Sequence, residues 1–176
     1  MPHRPGHVVL VGMMGVGKTS VGRRVADALA RPFSDSDAEV EALTGRTVRQ
    51  IFETDGEAAF RALETSVLAD ALASVEPHVI AAAGGVVLAA GNRRLLRSAG
   101  TVVWLQAPVV VLVDRVATGH HRPAVEDDPE ASLTRMEHAR AELYAEVADV
   151  VIDTTLPLTE VVTEVLGVVE RREAAA

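Results

Sequence analysis

His7-Val8-Val9-Leu10-Val11-Gly12-Met13-Met14-Gly15-Val16-Gly17-Lys18-Thr19-Ser20-Val21 is the stretch that decides the fold. His7–Val11 is a short β-branched run bounded by Gly6 and Gly12, and from Lys18 to Ala30 the apolar residues Val21, Val25, Ala28 and Leu29 recur at helical spacing. Strand, glycine turn and helix therefore follow one another directly. Between them, Gly12 to Thr19 fills every fixed position of the Walker A pattern, two glycines, a lysine and a hydroxyl residue. Gly12 and Gly17, helped by Gly15, let the backbone curl so that its N–H groups converge on an anion at a helix N-terminus. Lys18 is then placed to reach the β- and γ-phosphates, and the Thr19 hydroxyl to ligate Mg²⁺. The stretch predicts a nucleoside triphosphate site.

Working outward, the same alternation repeats. Phe33–Ser34 reads as a second short strand, Val79–Ala83 as a third, Thr101–Leu105 as a fourth and Asp149–Ile152 as a fifth. Helices are expected over 38–43, 47–52, 58–73, 92–97, 130–146 and 156–166, with Asp55–Gly56 as a turn and Val169–Ala176 as a polar tail that frays. The run Val109–Val113 is β-branched, yet a parallel strand must be followed by a crossover, so 109–117 is read as helix. Five short strands alternating with helices predict a three-layer α/β/α sandwich around a five-stranded parallel sheet, in one domain spanning 1–176. Thr118–Pro129, polar and crowded with His120, His121, Arg122, Glu126, Asp127 and Asp128, reads as an exposed mobile loop.

Asp35 and Asp37 lie just beyond the second strand, two residues apart, so on an extended segment both side chains point the same way. Parallel α/β folds bind ligands at the carboxyl ends of strands. One acid suits Mg²⁺, by way of water, and the other suits orienting and deprotonating an acceptor hydroxyl. The alternative, a helix N-cap plus a solvent-facing acid, stays open at this point.

Composition narrows the function. Seventeen Lys and Arg against 25 Asp and Glu give a formal charge of −8, which argues against a dedicated nucleic-acid binder while permitting a local basic pocket for small anions. The absence of Cys excludes disulfides, thiolate metal sites and cysteine nucleophiles. With five aromatic residues, Phe33, Phe52, Phe60, Trp104 and Tyr144, the core must be aliphatic. Neither long apolar stretch, 79–90 or 101–113, reaches the roughly 20 residues needed to cross a bilayer, and no apolar signal region precedes the first strand. A cytoplasmic protein without membrane partners is expected.

With the phosphate loop and the acids in place, the chain resembles the bacterial shikimate kinases, small P-loop kinases of the nucleoside-monophosphate-kinase-like type, over roughly residues 7 to 167. The further matching stretches are Phe33-Ser34-Asp35-Ser36-Asp37, Thr44-Gly45-Arg46, Ile51 to Glu57, Phe60-Arg61, Gly84-Gly85, Arg122-Pro123 and Arg140-Ala141-Glu142-Leu143-Tyr144. The resemblance implies transfer of the ATP γ-phosphate to the 3-hydroxyl of shikimate; a single copy reads as chemically complete, so a monomer is expected. It implies nucleotide contacts from Gly12, Gly15, Val16, Gly17, Lys18, Thr19, Ser20, Arg115 and Arg122, with Arg115 stacking near adenine. Lys18, Asp37 and Arg122 would be catalytic, and Thr19 and Asp35 would hold Mg²⁺. Asp37, Arg61, Gly84, Gly85 and Arg140 would bind shikimate, the two arginines clamping its carboxylate. The acceptor region would span about 35–73 and the mobile lid about 118–129.

Three departures from the family pattern stand out: Ala83 replaces the first of three usual glycines, Thr154-Thr155-Leu156-Pro157 has no arginine, and His120-His121 precedes Arg122. The histidine pair lacks further ligands at suitable spacing and reads better as part of a polar lid than as a metal site. Two rival functions follow from these departures: a related small-molecule kinase acting on gluconate or a cyclitol, and a nucleotide-binding regulatory protein that has lost acceptor chemistry. Acceptor-dependent ADP release separates all three.

Overall fold

The structure, a computed structural model, describes residues 6–118 and 127–175. Five strands form one parallel sheet: β1 (His7–Val11), β2 (Phe33–Asp35), β3 (Val79–Ala81), β4 (Gly100–Gln106) and β5 (Val150–Asp153), in spatial order β2-β3-β1-β4-β5. The three-layer sandwich read from the sequence is the fold observed. β1 is central, pairing Val9 with Ile80 on one side and with Val102 on the other. It is buried along its whole length, as a Val-rich strand covered on both faces must be. The chain steps from β1 toward β3 and β2, then reverses to β4 and β5. The crevice that this reversal opens at the carboxyl end of β1 is where an open α/β sheet receives its ligand.

The helices are α1 (Lys18–Leu29), α2 (Ser36–Thr44), α3 (Val48–Leu72), α4 (Ala90–Arg97), α5 (Val109–Ala117), α6 (Pro129–Val147) and α7 (Leu158–Ala175). Topology overrides β-propensity in α5, which is helical over the predicted residues with Leu112 turned into the core. The turn expected at Asp55–Gly56 is a break inside α3, where Gly56 takes φ 85° and ψ 174°. A single 3-10 turn, Val86–Leu88, follows β3 and escaped the sequence reading.

Helices α2 and α3 carry their own small core. Val40, Ile51, Phe60 and Val67 cluster apart from the main aliphatic core under the sheet, with Val48, Phe52 and Leu63 packed around them. α2 and the first half of α3 are thus held to each other by one set of contacts and to the sheet by another.

The expectation of a fraying tail is wrong. α7 continues to Ala175 because Val161, Val165 and Val169 fall on one buried face, and Val169 is fully buried. Glu173 accepts two bonds from Arg31, at 2.7 and 3.0 Å, and Arg172 pairs with Asp149 at 2.9 Å. Exposed ion pairs contribute little each, so apolar burial does most of the anchoring. Val169→Ala removes two buried methyl groups at about 0.8 kcal/mol each and leaves a small cavity, for an expected loss of roughly 2 kcal/mol. Urea unfolding checks this. The midpoint should fall at constant m-value, and an unchanged midpoint would mean that the end of α7 is not docked.

Candidate active site

The phosphate loop leaves β1 at Gly12, whose φ of 143° suits glycine, and a Cβ there would overlap the Leu105 carbonyl oxygen. α1 then starts after Gly17 with no side-chain cap. Its first amides are left facing the crevice, as an anion site at a helix N-terminus requires. Lys18 reaches back over the loop, its Nζ donating to the carbonyl oxygens of Gly12 at 2.7 Å and Met13 at 3.0 Å. A cavity of about 500 Å³ opens here, lined by the loop residues Met14 to Ser20 and by Asp35, Asp37, Ala83, Gly84, Arg115, Thr154 and Leu156. Every predicted nucleotide contact among the described residues that lines a surface lines this one; Gly12 lies beneath it.

Asp35 and Asp37 share the cavity, but not for the reason expected. The extended segment ends at Asp35, and Asp37 already belongs to the first turn of α2. Asp35 is the N-cap: its Oδ1 accepts from the backbone N–H of Asp37 at 3.1 Å and of Ala38 at 3.3 Å. Its Oδ2 accepts from the Thr19 hydroxyl at 2.5 Å. Capping therefore uses one oxygen of Asp35 and leaves the other to Thr19 beside the phosphate loop. The same carboxylate joins the start of α1 to the start of α2.

Arg115 sits at the far end of the cavity and braces it. Its Nη1 donates to Thr154 Oγ1 at 3.1 Å and to the loop carbonyls of Val16 and Gly15 at 3.3 and 3.4 Å, while Nη2 donates to the Thr154 carbonyl at 2.6 Å. The segment 154–157, which lacks the arginines usual at this place, is tied to the phosphate loop through Arg115.

A second, narrow cavity of about 40 Å³ adjoins the first, and Met14 and Gly84 line both. Its remaining wall includes Phe52, Phe60, Arg61, Glu64, Gly85 and Arg140. Two arginines from different helices, α3 and α6, thus face one pocket with the Gly84–Gly85 backbone between them. A Cβ on Gly85 would overlap the Arg61 guanidinium, so glycine there is what admits the arginine.

Arg61 is held by two carboxylates: Nε and Nη2 donate to Glu57 at 3.3 and 3.1 Å, and Nη1 donates to Glu64 at 2.7 Å. Burial works against the Arg61 charge, but Glu64 and Glu57 outweigh it and raise its pKa. Glu64 is only 2 % exposed, and burial pushes its carboxyl upward in spite of the neighbouring Arg61. Sequence reasoning missed Glu64, although the signal was present: it lies four residues after Phe60 and four before Leu68, an acid in the middle of an apolar stripe. Met14, at the seam of the two cavities, was also missed. Arg122 and the His120-His121 pair lie outside the described residues.

Comparison with known proteins agrees with this geometry. A sequence model described as shikimate kinase matches residues 14–170. This chain belongs to the shikimate kinase family. A curated shikimate kinase of Halorhodospira halophila is 46% identical over 152 residues, 86% of this chain and 85% of that one. The solved shikimate kinase of Acinetobacter baumannii, in complex with shikimate, superposes with a TM-score of 0.90 at 38% identity, covering 94% of this chain and 93% of the other. A gluconokinase from Sinorhizobium meliloti matches with a TM-score of 0.69 at 25% identity, over 95% of this chain and 93% of that one. The gluconate rival shares the scaffold, but family membership lies with the shikimate kinases, whose members are ATP-dependent phosphotransferases.

Proposed function

We infer that the chain is a shikimate kinase, transferring the γ-phosphoryl group of ATP to the 3-hydroxyl of shikimate with release of ADP. The observation that carries this reading is the pairing of Arg61 and Arg140 on a cavity that meets the phosphate-loop cavity at Gly84. A carboxylate held by two guanidinium groups would turn the acceptor ring, with its hydroxyls, toward the nucleotide. Phosphoryl transfer is then mainly positioning and electrostatics. Lys18 would stabilise charge on the transferring oxygens, and the loop amides of Gly15 to Ser20 would cradle the phosphates. Asp37, facing the same cavity, would orient the attacking hydroxyl and accept its proton. Arg115 would flank the nucleobase.

The residues present fit Mg²⁺. Thr19 Oγ1 and Asp35 Oδ2 are adjacent hard oxygen donors beside the phosphate loop, and Mg²⁺ in kinase sites takes few protein ligands, with water and phosphate oxygens completing its shell. No group of three or more His, Cys, Asp or Glu suited to a metal occurs among the described residues, which agrees with a site completed by the nucleotide. When bound, the ion would neutralise phosphate charge.

A monomer is proposed, made of a single kinase domain whose acceptor region is about 35–73. No helix among the described residues is long and apolar enough to cross a membrane; dependence on ATP supports a cytoplasmic location. The deciding experiment is steady-state ADP release with MgATP across shikimate, gluconate, nucleoside monophosphates and no acceptor. Release above the slow acceptor-free background is expected with shikimate alone. Equal release with gluconate, or no release above that background with any acceptor, would overturn the assignment.

A further inference from the structure

Tyr144 lines neither of the two cavities, yet its hydroxyl bonds the backbone between them. The side chain is 1 % exposed, on α6 one turn after Arg140. Its hydroxyl donates to the Gly84 carbonyl oxygen at 2.6 Å, across 60 residues of sequence. The Arg140 guanidinium lies close enough to the same hydroxyl for its charge to act on the phenol, and Arg140 Nη1 lies 3.6 Å from where a Cβ on Gly84 would sit. The ring packs against Trp104, centroids 5.6 Å apart, which fixes the hydroxyl in place. Burial pushes the phenol up to about 12, so the hydroxyl keeps its proton and remains a donor to Gly84 at any working pH.

We propose that Tyr144 is a positioning residue for the acceptor: its hydroxyl holds the Gly84–Gly85 backbone and the Arg140 guanidinium in fixed relation to each other. This rests on the shikimate reading above. A phenol oxygen can donate once and still accept, so a single group satisfies a carbonyl and aims a guanidinium. Without it, the Gly84 carbonyl would be left as a buried acceptor beside a cation free to turn to it. Arg140 would then be drawn from the pocket toward the backbone, and Gly85, against which Arg61 rests, would lose its anchor. The larger effect would fall on the acceptor pocket, because the hydroxyl bonds Gly84 beside Arg140 and the adjoining Gly85 lies against Arg61.

Tyr144→Phe keeps the ring and its packing on Trp104 and removes only the oxygen. The expected result is a rise of about 10-fold in KM for shikimate, with KM for ATP and kcat each within about 3-fold of wild type, since a misplaced binding group is felt mainly by the ligand it binds. A parallel rise in both KM values would mean a merely structural role and would overturn the proposal. So would a folded variant with unchanged KM for shikimate while the wild type turns shikimate over. Absence of shikimate-dependent release in the wild type would instead overturn the acceptor reading on which the proposal stands.

Should the variant not fold, the wild type decides. Tyr144 is the single tyrosine of the chain, so tyrosine labelled with ¹³C at Cζ gives one signal. That signal should move on saturation with shikimate and stay in place with ADP alone. A signal indifferent to shikimate would overturn the positioning role.

Discussion

Replacing Lys18 with Met is expected to lower kcat by about 10³-fold while the protein stays folded. Met preserves the length and most of the apolar stem, so the change is close to a deletion of charge. Two functions are lost together. The ammonium group bonds the Gly12 and Met13 carbonyl oxygens, which steadies the entry of the loop, and it brings a cation to the phosphate-loop cavity. Removing one preorganised donor from a charge-developing site costs roughly 10²–10³ in rate, and cations acting on a phosphoryl-transfer transition state reach roughly 10³–10⁵. The Lys18 charge combines both roles, which places the expectation near the overlap of the two ranges. The loss should appear with every acceptor and in any slow hydrolysis of ATP alone, because it lies on the nucleotide side. Thermal unfolding should remain cooperative, since the central strand and the glycines that shape the loop are untouched. A folded Lys18→Met protein with kcat within 10-fold of wild type would show that the charge is not used in the transfer step.

The nucleotide side was largely legible in the sequence, and the reason is local. A buried parallel strand, a loop needing glycine at Gly12 and a helix opening at Lys18 are contiguous, so their pattern is written within fifteen residues. The break at Gly56 was legible for the same reason. α5 needed one further step, because only the demand for a crossover between parallel strands makes a helix of Val109–Val113. On the other side, the sequence named Arg61, Gly84, Gly85 and Arg140, which share one cavity, but not how they are wired. Glu64 and Arg61 share one face of α3, and an acid on an apolar stripe is visible once the helix is drawn; its consequence for Arg61 depends on burial that no spacing gives. The Tyr144 bond to Gly84 and the docking of Val169 and Glu173 join residues 60 or more positions apart, or the two ends of the chain. Asp37 was placed correctly on a wrong premise. Capping by Asp35 starts α2 at Ser36, two residues before the expected 38, and the helix then turns Asp37 into the cavity.

Asp37→Asn is expected to reduce turnover with shikimate by about 10²–10⁴-fold, the range for loss of a positioned general base, with little change in KM for ATP. The substitution keeps the volume of the side chain and its place in the first turn of α2, and the capping bonds to Asp35 involve backbone N–H groups that Asn retains. What disappears is a negative charge and a proton acceptor in the cavity that the phosphate loop lines. An acceptor hydroxyl lying there would still find a hydrogen-bond partner in the Asn carbonyl oxygen, so binding should weaken less than kcat falls. The charge change should also be felt locally: Asp37 pushes the Glu64 carboxyl upward, and its neutralisation would relax that push without touching the burial that dominates it. The contrast with Lys18→Met is what assigns the two residues to different sides of the reaction. Hydrolysis of ATP in the absence of acceptor should survive Asp37→Asn and fall in Lys18→Met, whereas shikimate-dependent ADP release should fall in both. If Asp37→Asn retained wild-type turnover with shikimate, the proton would have to leave by another route, and the carboxylate at the start of α2 would be a structural group of the cavity wall.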